Sequence, residues 1–516
     1  MTQKQNNNQS DRPRNGRTHS PLLFWIALIL LTMAGFAIRA SHRHHPMQGD
    51  ESATYFHYVM PNSFKALFNY TDTNNHIFHS LLAILSTKLR GSGPTAVRIP
   101  AFLAGVAIIA AGGLFARSIG KNAFAGIFAA MLLSTSSVLV AFSVNARGYT
   151  MVLFFSLLMG FASVQIARRK SGCRMWILWS TSLVLGMWTI PIMVYPAAIF
   201  SFMVILQTAL SRTEIQHKLH VFKNWGLAVF VCIGITWLLY LPVILQNGFH
   251  SLFTFPWVKP HPFSTVLSGI PETFSMLLKD WFRDTSWLYA VLLAVGLASS
   301  MLVGIKKRDL FYWMPLIAAV LLVVCTLLQR IVLFARIWLF VLPMVLVSAS
   351  LGLADIPKWF PMKICRHVAG TLVAVLCTVV SVDSATVVLK RPYFIEEDRT
   401  TLVNPETVCK DVAPFCDGKT ALVGLWYSSQ YSLNYYQILY TPGRIADYKV
   451  ENTRRAFLAV GDRQDLAWLV AQNPGLGQHY GPFVLWKTYP HSKVYLAYRK
   501  TEPDRSQETN QEKAED

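Results

Sequence analysis

Apolar residues run along most of this chain in long unbroken blocks separated by short polar connectors, the pattern of a polypeptide that crosses a bilayer repeatedly. The blocks lie near 21–38, 99–116, 122–142, 149–167, 175–190, 194–210, 225–245, 286–303, 310–328, 332–353 and 368–389. Eleven membrane helices are therefore expected over 21–389. The apolar run 77–87 is too short to cross and ends at Lys88 and Arg90. It is read as a helix lying on the membrane surface, with a second surface helix over 52–69, both inside a large loop spanning 39–98.

After residue 389 the pattern changes. Strand-like runs at 420–426, 456–460 and 482–498 alternate with helical patterns near 428–437 and 463–472. A small α/β domain is expected over 390–500, followed by a disordered polar end, 501–516. Residues 1–20 are polar and read as a disordered cytoplasmic tail, with the first apolar run a retained signal anchor.

Composition agrees. At 53% hydrophobic and 14% charged residues, the chain lacks the polar surface a soluble enzyme needs. The net charge of +20 belongs wholly to residues 1–389, since 390–516 holds 16 basic and 16 acidic residues. The basic excess sits in short connectors rather than on the face of a folded domain, so nucleic-acid binding is not expected. With eleven crossings, the connectors on the N-terminal side hold 19 Lys and Arg, including Lys306-Lys307-Arg308. The four shorter connectors on the other side, near 143–148, 191–193, 246–285 and 329–331, hold five, or six with Arg336, which makes the N-terminal side cytoplasmic and puts loop 39–98 and the C-terminal domain outside. A bacterial plasma membrane is the expected location. Cys409 and Cys416 then fall in an oxidising compartment; a disulfide between them is expected, with two free buried thiols as the alternative.

Candidate chemistry concentrates at this outer rim. Asp50 and Glu51 follow the first span, and the apolar segment 55–68 presses their loop onto the membrane, where partial desolvation tunes a carboxylate as a base. The bland reading is a pair of solvated loop charges. Arg147 opposes the charge bias, as do Arg330 and Arg336. Each is either a snorkelling anchor or an anion site at headgroup depth. His42, His44 and His45 lack a convincing fourth metal ligand, so no metal or other cofactor is expected, although the carboxylates leave a divalent ion open. Asp280 and Asp284 are lesser candidates, and Trp257, Trp281 and Phe282 read as interface anchors. No Gly-rich nucleotide loop is present.

A family resemblance rests on specific residues: Asp50-Glu51 after the first span, then Asn75-His76 opening the surface helix. Gly91-Ser92 with Ala96-Val97-Arg98 before the second span and Ala146-Arg147-Gly148-Tyr149 after the third complete it. This pattern, over roughly residues 20–170, resembles the GT-C integral-membrane glycosyltransferases, most nearly the protein O-mannosyltransferase and aminoarabinose-transferase branch. Where that family often has His-Pro-Pro, this chain has His76-Ile77-Phe78.

The resemblance implies a GT-C-like membrane domain and transfer of a hexose or pentose from a polyprenyl-phosphate donor to a lipid, glycan or protein acceptor outside the cytoplasm. It implies Asp50 as catalytic base with Glu51 as its neighbour. Arg147 and Arg336 would stabilise the departing phosphate, with Arg330 and Arg39 in reserve, and Tyr149, Asn75 and His76 would orient substrate. Asn75 has an alternative as a helix cap. A single displacement opposite the phosphate predicts inversion. The rival reading is a transporter or lipid flippase, for which Asp383 is the clear acidic residue inside a span.

Overall fold

A computed structural model describes residues 21–500 except 71, 169–171, 254–258, 332–334, 392–401, 426–427, 448, 450–451 and 463. The expected tails 1–20 and 501–516, and Trp257, lie outside the described residues.

Among the described residues, nine helices are long and apolar enough to cross a membrane, and the pair Ala123–Thr135 and Ser137–Ser143 forms a tenth span bent by 63°. The remaining apolar run is the helix Cys173–Thr189, whose 17 residues lie at the short end of spanning length. All eleven expected runs are thus helical over most of their length. The fold is that of a polytopic α-helical membrane protein with a small mixed sheet at its C-terminal end.

Two spans differ from their hydropathy outlines for local reasons. The third breaks where four hydroxyl residues, Ser134 to Ser137, follow one another. Ser134 and Thr135 both donate back to the Met131 carbonyl (2.8 and 3.1 Å), and Ser136 turns extended (φ −61°, ψ 117°). The break frees carbonyls that need donors. Arg39 supplies them, donating to Ser134 O at 3.0 Å and Leu133 O at 3.2 Å. The tenth span, expected from residue 332, becomes α-helical only at Val341, after a 3₁₀ turn Ala335–Trp338 that carries Arg336.

Close approach between spans is made by small residues, as is usual where lipid gives no hydrophobic drive to helix association. Helices Trp287–Lys307 and Val341–Asp355 cross at Gly296 and Gly352; a Cβ on Gly352 would lie 1.8 Å from the Gly296 carbonyl oxygen.

The 39–98 loop holds a short helix, Gly49–Thr54, running on into a π-turn, Tyr55–Val59, so the surface helix expected over 52–69 is broken into pieces. Ile77–Arg90 is helical, as its amphipathic pattern requires. The 246–285 connector contains a 19-residue helix, Phe263–Trp281, for which the sequence reading made no provision. It packs beside the Ala335–Trp338 turn.

In the C-terminal sheet the strands are β1 (Thr420–Val423), β2 (Arg455–Gly461), β3 (Val484–Tyr489) and β4 (Ser492–Tyr498), in the order β1-β2-β4-β3. β1 and β2 run parallel and the other pairs antiparallel, so the β1–β2 connection needs a crossover, which includes the helix Ser428–Tyr440. The long strand-like run 482–498 is a hairpin, because Pro490 lacks a ladder donor and His491 adopts φ +69° at the turn. The expected disulfide is not formed. Cys409 and Cys416 are both free and buried, their thiols directed to the Leu433 and Val412 carbonyls (3.5 and 3.4 Å).

Candidate functional site

The helix Gly49–Thr54 starts with Gln48 as N-cap, and the Gln48 N–H donates to Glu51 Oε1 at 2.8 Å. This cap separates the fates of the two adjacent carboxylates. Glu51 turns inward, 1% exposed, and forms an ion pair with Arg98. Its Oε2 also accepts from Arg98 Nε (3.0 Å) and from the Ala146 N–H (2.8 Å). Arg98 additionally donates to His45 O (2.5 Å) and Pro46 O (3.1 Å), tying down the chain that leads into the helix. With both oxygens occupied, Glu51 is an internal strut rather than a group facing substrate.

Asp50 faces the other way. Its Oδ2 accepts from Arg147 and, at 2.8 Å, from Arg336 Nη1, while the Asn74 side chain also hydrogen-bonds to it. Burial would raise the Asp50 pKa, but Arg147, Arg336 and Asn74 outweigh it and hold the carboxyl below its ordinary value of 3.8. The two arginines differ in freedom: the side chain of Arg147 is 3% exposed and that of Arg336 is 37% exposed.

Arg147 is aimed by its surroundings. The turn 145–148 is steadied by His76, whose Nδ1 accepts from the Gly148 N–H at 2.8 Å. That bond requires the proton on Nε2, and burial, then Arg147, keep the ring neutral by pushing its pKa well below 6.5. A Cβ at residue 148 would sit 2.5 Å from Thr189 Cγ2, so only glycine fits there. Tyr149 lies beside the Arg147 guanidinium, 5.4 Å from its ring centroid, and against the His76 ring at 5.2 Å. Tyr149 and His76 therefore act through Arg147.

Three further residues expected to bind substrate do not gather there. Arg39 is fully buried at the break in the third span, bonded to Ser143 Oγ (3.0 Å) and to carbonyls. Asn75, 1% exposed, spends its amide on Leu67 O and Asn69 O (both 2.8 Å) and accepts from Ser80 Oγ (3.4 Å). Nor is it the cap of Ile77–Arg90, since His76 holds that position. Arg330 ends a helix in the left-handed conformation (φ +56°) with its carbonyl accepting from His261, and among the described residues no ion pair joins it to Asp50. Asp284 pairs with Arg391 and Asp280 with Arg283. Among the described residues, no three His, Cys, Asp or Glu side chains are grouped to hold a metal.

The C-terminal unit reaches this site through tyrosines of Ser428–Tyr440. Tyr436 Oη accepts from the Met47 N–H (2.9 Å), and Tyr435 donates to Ser92 O (2.7 Å) while packing edge-on against Tyr55 (5.0 Å). Tyr431 hydrogen-bonds His57 at 2.8 Å. Both flanks of the Asp50 helix are held from the tail.

No family model matches the sequence, and no curated protein matches it. Solved structures do. The chain is similar to ArnT from Cupriavidus metallidurans in the apo state, with a TM-score of 0.59 and 13% identity over 92% of this chain and 97% of that one. The same protein bound to undecaprenyl phosphate matches over the same shares with a TM-score of 0.55 and 13% identity. The apo oligosaccharyltransferase of Archaeoglobus fulgidus matches with a TM-score of 0.53 and 10% identity, over 92% of this chain and 74% of that one. The fold is GT-C-like, that of integral-membrane glycosyltransferases.

Proposed function

We propose that this protein is a membrane glycosyltransferase that moves a sugar from a polyprenyl-phosphate donor to an acceptor outside the cytoplasm, in a bacterial plasma membrane. The observation that carries this reading is the Asp50 carboxylate held between Arg147 and Arg336 within a GT-C-like fold. ArnT, of similar fold, has been captured with undecaprenyl phosphate. The excess of basic connectors on the face opposite Asp50 supports the orientation.

In this reading Asp50, ionised because its pKa is depressed, removes the proton of the acceptor hydroxyl as that oxygen attacks the anomeric carbon. The bond from that carbon to the phosphate oxygen breaks on the opposite side, its electron pair leaving with the lipid phosphate, and configuration inverts. The phosphate needs charge stabilisation rather than a proton. Arg336, the more exposed partner, turns from Asp50 to the arriving phosphate, and Arg147 follows at its edge. A carboxylate doubly paired to guanidinium is a weak base, and losing these partners to the donor raises its basicity when an acceptor is to be deprotonated. Binding and activation are thereby coupled. Glu51 and Arg98 hold the helix on which Asp50 sits, and no metal is assigned a step.

The test is mass spectrometry of envelope glycolipids and glycoproteins from cells with the native chain, without it, and with Asp50→Asn. A hexose or pentose increment present only with the native chain, and missing with a normally inserted Asp50→Asn variant, is the expected result. Undiminished transfer by that variant would remove Asp50 as the base.

A further inference from the structure

A second cationic site lies at the opposite ends of the spans. Tyr149–Ala167 starts beside Arg147 and ends at Arg168, which pairs with Asp309, so Asp309 lies about 28 Å away along one helix. Next to it, the end of Val194–Leu210 and the corner after Trp287–Lys307 form an open surface pocket of about 450 Å³ lined by Gln207, Leu210, Ser211, Arg212 and Arg308.

The walls are fixed. Gln207 donates to Arg308 O (3.2 Å) and accepts from the Leu310 N–H (2.8 Å), which pins Arg308 in its left-handed conformation (φ +51°). Ser211 Oγ is bonded to Thr208 O and Thr213 Oγ1, both at 2.7 Å. Neither Arg212 nor Arg308 is in an ion pair among the described residues, while the acidic neighbour Asp309 is committed to Arg168. Lys218 lies close by, its Nζ on the Ala209 carbonyl (2.7 Å), and Glu214, at the N-cap position of the next helix, is exposed and makes no side-chain capping bond. Leu210, 67% exposed, turns an apolar side chain outward at the same level.

Two guanidinium groups in no ion pair among the described residues, beside an apolar rim where two membrane-length helices end, suit the phosphate of a phospholipid. We propose that this cavity binds the phosphate of an anionic phospholipid from the leaflet opposite Asp50. The guanidinium forks bond the phosphate oxygens and the acyl chains run along Leu210. The lipid would add to the Gln207 bonds and the packing that already seat the Val194–Leu210 helix against the Leu310 corner.

The test uses the purified full-length protein in detergent and native mass spectrometry with phosphatidylglycerol or phosphatidylcholine. Phosphatidylglycerol should be retained roughly thirtyfold more tightly, the worth of two cations near a charged headgroup. The preference should vanish in Arg212→Ala/Arg308→Ala and fall about fivefold in Arg212→Gln, whose exposed position in a connector spares the fold. Millimolar inorganic phosphate should not displace the lipid. Equal retention of the two lipids, a preference unaltered in Arg212→Gln, or displacement by phosphate alone would each overturn the proposal, the last pointing to a free-anion site.

Discussion

Arg336 Nη1 lies 2.8 Å from Asp50 Oδ2, across 286 positions of sequence. The contact closes the rim between the end of the first span and the start of the tenth. Of the two arginines on Asp50, Arg336 is the more exposed, 37% against 3% for Arg147.

Replacing Asp50 by Asn should lower sugar transfer by about 10²–10⁴-fold, the usual worth of a general base. Membrane insertion should be normal, as read by protease protection of the C-terminal unit. Donor binding should be unchanged or tighter, because the arginines lose their competing carboxylate; binding of polyprenyl phosphate to the purified variant checks this.

Arg336→Lys keeps the charge but loses the planar fork, so donor affinity should fall by about tenfold with little change in stability. Arg147→Ala should differ. The Arg147 guanidinium is buried beside Asp50, and its removal leaves a largely buried carboxylate with one remaining cation. Thermal unfolding of the two variants separates these outcomes.

Glu51→Ala should act on stability before chemistry. Arg98 would remain buried without its counter-charge, and the Ala146 N–H would lose its acceptor. A loss of about 3–5 kcal/mol is expected. Yield and melting temperature should drop together, whereas Asp50→Asn, which keeps a hydrogen-bonding side chain beside Arg147 and Arg336, should lower them by less.

Acid should weaken the 39–98 loop through its histidines. Burial holds His79 at a pKa of about 3, and burial together with Arg98 holds His45 at about 4, both below the ordinary 6.5. The unfolded imidazoles take up protons near pH 6.5 and the buried ones do not, so stability falls as pH drops from 6.5 towards those values. Asp50 contributes in the same sense at lower pH: its depressed pKa gives stability that is present above 3.8 and lost as pH falls through the lower folded value. Melting curves between pH 7.5 and pH 4.5 should show the histidine slope, and His79→Phe should flatten part of it.

Tyr436→Phe removes the acceptor for the buried Met47 N–H, a loss of about 1–2 kcal/mol. The predicted result is easier proteolytic release of the C-terminal unit and, because that unit holds the Asp50 helix, slower transfer.

The site was partly legible in the sequence. Arg147 and Arg336 stood out because an outside arginine opposes the charge bias and reads as an anchor or an anion site; the structure pairs both with Asp50. Arg98 satisfies the same criterion and was quoted as a motif residue, yet its bond to Glu51 was not anticipated. Asn74 was passed over for its neighbour Asn75, and nothing local separates two adjacent amides. The helix Phe263–Trp281 escaped because its apolar face is one stripe rather than a block.

What the sequence determined by itself was the place of the apolar helices and the mixed character of the tail. Both follow from short-range patterns, block hydropathy and period, that operate within one element. Only the tertiary structure decided which of two adjacent carboxylates meets Arg147 and Arg336 and which becomes a strut. It also decided that Arg39 serves a broken helix while Arg147 and Arg336 share Asp50. Such choices depend on which way each helix is turned against its neighbours and on where a break leaves carbonyls without donors, and both are set by packing between segments far apart in the chain.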